Sequence, residues 1–440
     1  MGLRRESLRT LACIVLASSL SACQAGDAAS TPASLASTPP AASAPPAGAS
    51  GASESAGVIP ANFPAWLDQL RTDARRKGVS SNTISQALAD VAPIPRVLEL
   101  DQRQPEYTQT FRRYLDGVTT DKRIANGKAL MQQHAALLAR LEKEHGVPGR
   151  FLVAFWGLES DFGRDIGGYP VVGSLATLAY DGRREAFFRD ELFKALTILD
   201  AGHVTLAKMK GSWAGAMGQT QFMPSTFLRY GVDQDRDGHI DIWGSVPDAL
   251  GSAANYLKSI GWNEGRTWGR EVRLPNDFNV TLASLNVDAN ETVKPLAEWA
   301  KLGVRRTDGG TLPSADIAAA LILPDGIRGP AFLVYDNYRV ILKFNRSVFY
   351  AVTIGHMADR FIGAGPLAAP RVLFDPLRRD EIAALQQGLA ALGLFTATAD
   401  GVIGPATRQA VRTFQKANGL PPDGYVDAKL IAAVRARAGA

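Results

Sequence analysis

The sequence predicts a mainly α fold of the α+β class: a large helical core with a small β element and an EF-hand-like loop, then a C-terminal three-helix module. Three observations carry this. From Phe63 to about Asn279 apolar residues recur at three and four, as in Leu130, His134, Leu137, Leu138 and Leu141, with Gly or Pro between segments. Around residues 270 to 356 the texture shifts toward Val, Ile, Phe and Tyr, the composition of strands. After Pro370 a separate unit, residues 377–437, repeats a short pattern internally. At 440 residues the chain exceeds a single core, and 46% hydrophobic against 21% charged residues describes a folded protein.

The first segment reads as an address. Arg4, Arg5 and Arg9 form a positive n-region, and LACIVLASSL is too short to span a bilayer, so residues 1–22 are expected to be a cleaved signal peptide. Leu20, Ser21, Ala22 and Cys23 resemble the lipobox of bacterial lipoproteins, in which the cysteine carries the lipid. Cys13 is then discarded and Cys23 acylated, which leaves no thiol for a disulfide, a metal or a nucleophile. Gln24 stands where enteric bacteria use Asp to retain lipoproteins in the inner membrane, so the expectation is a periplasmic protein lipid-anchored to the outer membrane. Residues 23–58 are almost wholly Ala, Ser, Pro, Gly and Thr and cannot offset the entropy of ordering. They predict a disordered tether of ~30 to 35 Å root-mean-square reach. The formal charge of +5, from 48 basic and 43 acidic residues without a basic run, gives a nucleic-acid partner no electrostatic support.

Within the helical region, Pro148 opens a helix over 148–159. Phe151, Ala154, Phe155 and Leu158 fall at i, i+3, i+4 and i+7 and face a core. Glu159 lies one position round from that stripe in the last turn, and Gly163 closes the run. Apolar walls and the carbonyl end of a helix both disfavour the carboxylate anion, which makes Glu159 a candidate general acid. Asp161, two residues on, points to another face and reads with Asp165 as a surface or loop-capping residue. The segment GSWAGAMGQTQFMPS, residues 211–225, joins small residues that admit a close backbone approach to Ser212, Gln219, Gln221 and Ser225, neutral hydrogen-bonders suited to an uncharged N-acetylated sugar. Trp213, Phe222 and Trp243 fit sugar stacking and core packing equally.

In DQDRDGHIDIW, residues 233–243, Asp233, Asp235 and Asp237 occupy positions 1, 3 and 5 of a calcium loop, with Gly238 at the sharp turn and His239 at the backbone-carbonyl position. Position 12 is Gly244, so the bidentate glutamate is missing. A Ca²⁺ ion here would be structural, and nothing points to an organic cofactor. His134, His145, His203 and His356 are too dispersed to hold zinc. Further on, AFLVYDN and YRVILKFN predict a short hairpin turning at Asp336-Asn337, and SVFYAVTIGHMADRF returns to helix. In the C-terminal unit, DGVIGPATRQAV (400–411) echoes DGYVDAKLIAAV (423–434). Pro405 suits a helix start, Asn418-Gly419 a helix end, and residues 380–392 carry the stripe Ile382, Leu385, Leu389, Leu392.

Residues 148–163, 211–230, 246–262 and 344–356 resemble the membrane-bound lytic murein transglycosylase B family (glycoside hydrolase family 103 type), over roughly Phe63 to Pro366. LQQGLAALGLF, DGVIGPAT and AVRTFQKANGL resemble the small peptidoglycan-binding domain of cell-wall enzymes. The resemblance implies a catalytic domain over 59–366 with a lysozyme-like core, and peptidoglycan glycan strands as the partner. It implies that Glu159 alone protonates the MurNAc–GlcNAc bond, then accepts the proton of the sugar's own 6-hydroxyl, leaving a 1,6-anhydro ring. By motif position, Ser212, Gln221, Tyr256, Asn345 and Tyr350 would line the cleft. Phe344 stands where an enteric member has tyrosine, which keeps a stacking face and loses a hydroxyl. The family's loop takes its last carboxylate late, at a position matching Asp248. Wall-synthesis enzymes are conceivable protein partners, and a monomer is expected.

Overall fold

The computed structural model describes residues 62–102 and 109–439. The expected signal peptide, Cys23 and the tether up to residue 58 lie outside these residues. The mainly α expectation holds, with three separate hydrophobic cores: a large helical one, one under a small sheet, and one in the C-terminal module.

The helical domain begins with α1 (Phe63–Arg76), α2 (Ser81–Ala87), α3 (Pro95–Gln102), α4 (Phe111–Val118), α5 (Asp121–Gln133) and α6 (Ala135–His145). Hydroxyl side chains start three of them: Ser80, Thr110 and Thr120 accept from the backbone N–H groups of Thr83, Arg113 and Arg123. The stripe from Leu130 to Leu141, continuous in sequence, is divided at His134 into α5 and α6. There follow α7 (Gly149–Ser160), β1 (Tyr169–Pro170), α8 (Val171–Asp181), α9 (Glu185–Asp200), β2 (Lys210–Gly211), α10 (Pro224–Tyr230) and α11 (Val246–Ser259). Pro148 proves to be the residue just before α7 rather than its first.

The sheet region comprises β3 (Gly269–Arg273), β4 (Lys294–Pro295), α12 (Leu296–Lys301), β5 (Arg305–Arg306), β6 (Ala318–Ile322) and β7 (Ala331–Val334), followed by α13 (Asp336–Phe344) and α14 (Val348–Phe361). The strands lie in the order β4-β6-β7-β3-β5, every pair antiparallel, with Leu321 opposite Leu333. Trp299 of α12 anchors the core beneath, its indole donating to the Ala319 carbonyl at 2.9 Å.

The expected hairpin at Asp336-Asn337 is not formed. AFLV is strand β7, but YRVILKF belongs to α13. Asn337 is fully buried rather than exposed in a turn: it accepts from the Asn263 N–H at 2.8 Å and donates to the carbonyls of Asn263 and Arg266 at 2.9 Å. With that anchor, Tyr338, Ile341 and Leu342 bury at helical spacing, and tertiary packing overrides the β propensity of the residues.

Among these elements α7 is the axis. Every residue of it except Arg150 is buried, as in helices that are apolar all round, and it packs against α5, α6, α11 and α14. The C-terminal module is α15 (Arg379–Ala391), α16 (Pro405–Ala417) and α17 (Ala428–Ala438). Its internal echo has a physical basis. Gln386 donates to Asp400 and Val402 and accepts from Gly401, while Gln415 donates to Asp423 and Tyr425 and accepts from Gly424. Each Asp-Gly loop is thus clamped by one amide of the preceding helix. No helix among the described residues is long and apolar enough to cross a membrane.

Candidate active site

Glu159 sits in the last turn of α7, 3% exposed. The helix stops abruptly behind it. Asp161 and Phe162 both adopt left-handed backbone (φ 49° and 62°), and the Phe162 N–H closes back onto the Trp156 carbonyl at 3.1 Å. Two consecutive non-glycine residues in that region are a strained ending of the kind found beside functional sites. Gly163 continues it at φ 79°, where a Cβ would stand 2.5 Å from the Gln219 side-chain oxygen, so only glycine fits. Asp161 is occupied by Arg123 at 3.3 Å and Arg164 at 3.0 Å, and Asp165 accepts from the Gly167 N–H. Asp161 is thus an ion-paired surface residue and Asp165 a loop cap.

Burial pushes the Glu159 carboxyl up to about 8, even though the Tyr350 hydroxyl, which donates to its Oε1, favours the anion. At pH 7 the acid form therefore outnumbers the anion about tenfold. The charge is felt around it: burial and then Glu159 raise Tyr350 far above the ordinary phenol range and raise Tyr114 likewise. Tyr114, from α4, is a site neighbour that the sequence reading missed. It lies 45 positions from Glu159 on a different helix, and no local pattern marks it.

Aromatic rings floor this region. Phe344 is buried at the centre of a cluster, its ring centroid 4.7 Å from Phe155, 5.5 Å from Tyr256, 6.0 Å from Phe222 and 6.3 Å, nearly parallel, from Tyr350. The position that lacks a hydroxyl thus packs between site residues. Tyr256 directs its own hydroxyl to the Lys343 carbonyl at 3.1 Å.

The 211–225 segment separates into struts and open acceptors. Gln219 is a strut: it accepts from the Trp156 indole at 2.8 Å, donates to the Trp243 carbonyl at 3.3 Å, and its own carbonyl accepts from Ser160 Oγ at 2.8 Å. Its amide is spent on tying the segment to α7, which corrects its reading as a sugar hydrogen-bonder. Ser212 Oγ accepts from the Ala216 N–H at 3.0 Å and holds a tight loop. Gln221, left-handed at φ 51°, donates to the carbonyls of Ile166 and Gly218, yet its buried Oε1 has no partner within the protein. The Oδ1 of Asn345 and the hydroxyl of Thr220 are likewise buried and unpartnered. Buried acceptors left open call for a donor, such as the N–H or hydroxyl of an amide-bearing sugar. Glu191, buried on α9, accepts from the Ser225 N–H at 2.9 Å and anchors the segment's far end.

The acidic loop converges in part. Carboxylate oxygens of Asp233, Asp235 and Asp248 lie within 4.8 Å of one another. Asp248 is fully buried and accepts from the N–H groups of Gln234, Asp235 and Asp241, while burial still pushes its carboxyl up. Asp237 turns instead to the His239 N–H at 2.8 Å, and its carboxylate is not in the group, nor is the His239 side chain.

The comparisons agree with this geometry. Residues 62–359 match the transglycosylase SLT domain family and residues 378–434 the peptidoglycan binding domain family. Membrane-bound lytic murein transglycosylase B of Escherichia coli K12 is 31% identical over 315 residues, 68% of this chain and 82% of that protein. The crystal structure of SltB3 from Pseudomonas aeruginosa in complex with NAG-anhNAM-pentapeptide matches with a TM-score of 0.81 and 45% identity, covering 85% of this chain and 99% of that one. Escherichia coli lytic transglycosylase Slt35 in complex with calcium matches with a TM-score of 0.56 and 28% identity, over 69% of this chain and 93% of that one. A lysozyme-like helical core, a small sheet and a wall-binding module are therefore those of the transglycosylase SLT family, and the chain is a peptidoglycan lytic transglycosylase of that family.

Proposed function

We propose that this enzyme cleaves the β-1,4 bond between MurNAc and GlcNAc without water, with Glu159 serving as acid and then base. The observation that carries the reading is a buried carboxyl held protonated at neutral pH, with the acids next to it in sequence committed elsewhere. Glu159 gives its proton to the glycosidic oxygen as the C1–O bond breaks, and GlcNAc leaves with a free 4-hydroxyl. The acetamido oxygen of MurNAc closes on C1 and neutralises the cationic centre. The Glu159 carboxylate then takes the proton of the 6-hydroxyl, O6 displaces the acetamido oxygen, and a 1,6-anhydro end forms with Glu159 reprotonated. Glycosidases that pass water to the intermediate use a second carboxylate. Gln221 Oε1 and Asn345 Oδ1 supply acceptors for the substrate, and the complexes of SltB3 with NAG-anhNAM-pentapeptide and with NAG-NAM-pentapeptide support the reading. Products lighter than hydrolysis products by one water, and a loss of about 10²- to 10⁴-fold in Glu159→Gln, are expected by mass spectrometry and sacculus solubilisation. Reducing muramic ends would overturn the mechanism.

For the acidic loop the residues fit a structural Ca²⁺ ion: Asp233, Asp235 and Asp248 with the His239 carbonyl would hold it, and the clustered carboxylates, one of them buried, gain most from a cation. Such an ion orders the loop ahead of α11 and takes no part in proton transfer. The calcium complex of Slt35 supports this reading. The lipobox and tether, with a membrane-bound relative, support a periplasmic enzyme anchored through Cys23 to the outer membrane, whose C-terminal module holds the wall.

A further inference from the structure

Asp325 is 1% exposed and lies in the loop between β6 and β7, far in sequence from anything in the site. Its two carboxylate oxygens accept from the Phe111 and Arg112 N–H groups, each at 2.9 Å. Thr110 Oγ accepts from the next N–H, that of Arg113. The first three backbone donors of α4 are thereby satisfied, two of them by a residue from the sheet region.

That cap bears on the active site through a stack of rings. Phe111, the first residue of α4, meets Phe332 of β7 at 5.9 Å and Phe349 of α14 at 5.6 Å. Tyr114, one turn on, meets the same Phe349 at 6.0 Å. The residue after Phe349 is Tyr350, whose hydroxyl donates to Glu159. The loop is also gripped from its other side by the wall-binding module. The Ile327 N–H donates to Asp423 at 2.9 Å, Arg328 pairs with Asp427, and a Cβ on Gly326 would press on Tyr425 at 2.7 Å. Burial pushes the Asp325 carboxyl up, against which the Arg112 and Phe111 N–H groups and then the charges of Arg408 of the module and Arg112 of α4 favour the anion.

We infer that Asp325 is a positioning residue for glycan cleavage: capping α4 from the β6–β7 loop, it sets the ring stack that presents the Tyr350 hydroxyl to Glu159. The inference rests on Glu159 being the proton donor. The titratable groups around Glu159 include Tyr350 on α14 and Tyr114 on α4, with Arg123 of α5 acting on Tyr114 and Tyr256 of α11 acting on Tyr350.

The test is the alkaline limb of the pH profile for solubilisation of purified sacculi by the full-length protein, set by Glu159. Asp325→Asn keeps the shape but turns an amide N–H₂ toward one of the two backbone donors. We expect activity to fall about tenfold or more and the limb to move by roughly half a pH unit or more toward higher pH, because the Tyr350 hydroxyl favours the Glu159 anion and its displacement leaves burial to raise the carboxyl further. Phe349→Leu loosens the same stack without removing a buried charge and is expected to move the limb in the same way, which decides the matter should Asp325→Asn fold poorly. A limb that stays in place in the folded variants, with activity tracking only the amount of folded protein, overturns the positioning role. Failure of the Glu159 reading shows separately, as sacculus solubilisation that survives Glu159→Gln, and takes the inference with it.

Discussion

Glu159, the proposed proton donor, is a side chain whose burial is costly to the fold once it ionises. Its carboxyl titrates near 8 in the folded chain, against an ordinary value of 4.5 that applies when unfolded. The folded pKa is the raised one, so the group's contribution to stability is complete below about pH 4.5 and is lost as the pH climbs through 8. Full ionisation in that pocket costs on the order of 5 kcal/mol. Glu159→Gln has no such titration. Its melting temperature relative to wild type is therefore expected to rise as the pH goes from about 4.5 to 9, measured by calorimetry or circular dichroism. A constant difference across that range would show that the carboxyl is not held in its acid form by burial. The placement of Glu159 behind an apolar helix was legible in the sequence, because a stripe at three and four locates a core face. Its neighbour Tyr114, which feels its charge, was not, because helix packing brings the two into electrostatic reach across 45 residues.

At the scale of elements, the acidic loop and the α13 region teach opposite lessons. Alternate aspartates are a local pattern that placed Asp233, Asp235 and Asp237 together, yet only Asp233 and Asp235 converge, with Asp248, which came with the family resemblance, while Asp237 turns to the His239 N–H. With three carboxylates held close, added Ca²⁺ is expected to raise the melting temperature by several degrees at millimolar concentration, and the rise is expected to vanish in Asp233→Ala. No shift would leave a solvated acidic turn. In contrast, YRVILKF carries the composition of a strand and forms a helix, because Asn337 finds three backbone partners in the 263–266 turn. Gln219 is a similar case: its amide type fits sugar recognition, but the indoles and carbonyls around it claim both ends.

For the whole molecule, the C-terminal module is docked rather than hung on a linker. Arg412 donates to the carbonyls of Ala283 and Thr281, Arg113 of α4 to that of Phe374, and Glu271 of β3 accepts from the N–H groups of Ala368 and Ala369 in the connecting segment. Truncation before Leu377 is expected to weaken binding to isolated sacculi, read by co-sedimentation, and also to lower the melting temperature of the remaining chain, since Asp325 loses Arg408 and Ile327 loses Asp423. Unaltered binding would remove the module from wall attachment.

The sequence by itself determined the class of the fold, the division into a helical domain, a strand-rich stretch and a repeat-bearing module, and the burial of Glu159 at the end of an apolar helix, because periodicity, turn residues and composition are local quantities. Only the tertiary structure decided which polar side chains are struts and which acceptors stay open, that a strand-like stretch becomes α13, and that a carboxylate of the β6–β7 loop caps the helix beside the active site. Those outcomes depend on partners tens to hundreds of residues apart, where burial and unsatisfied hydrogen-bonding groups, rather than local propensity, set the energy.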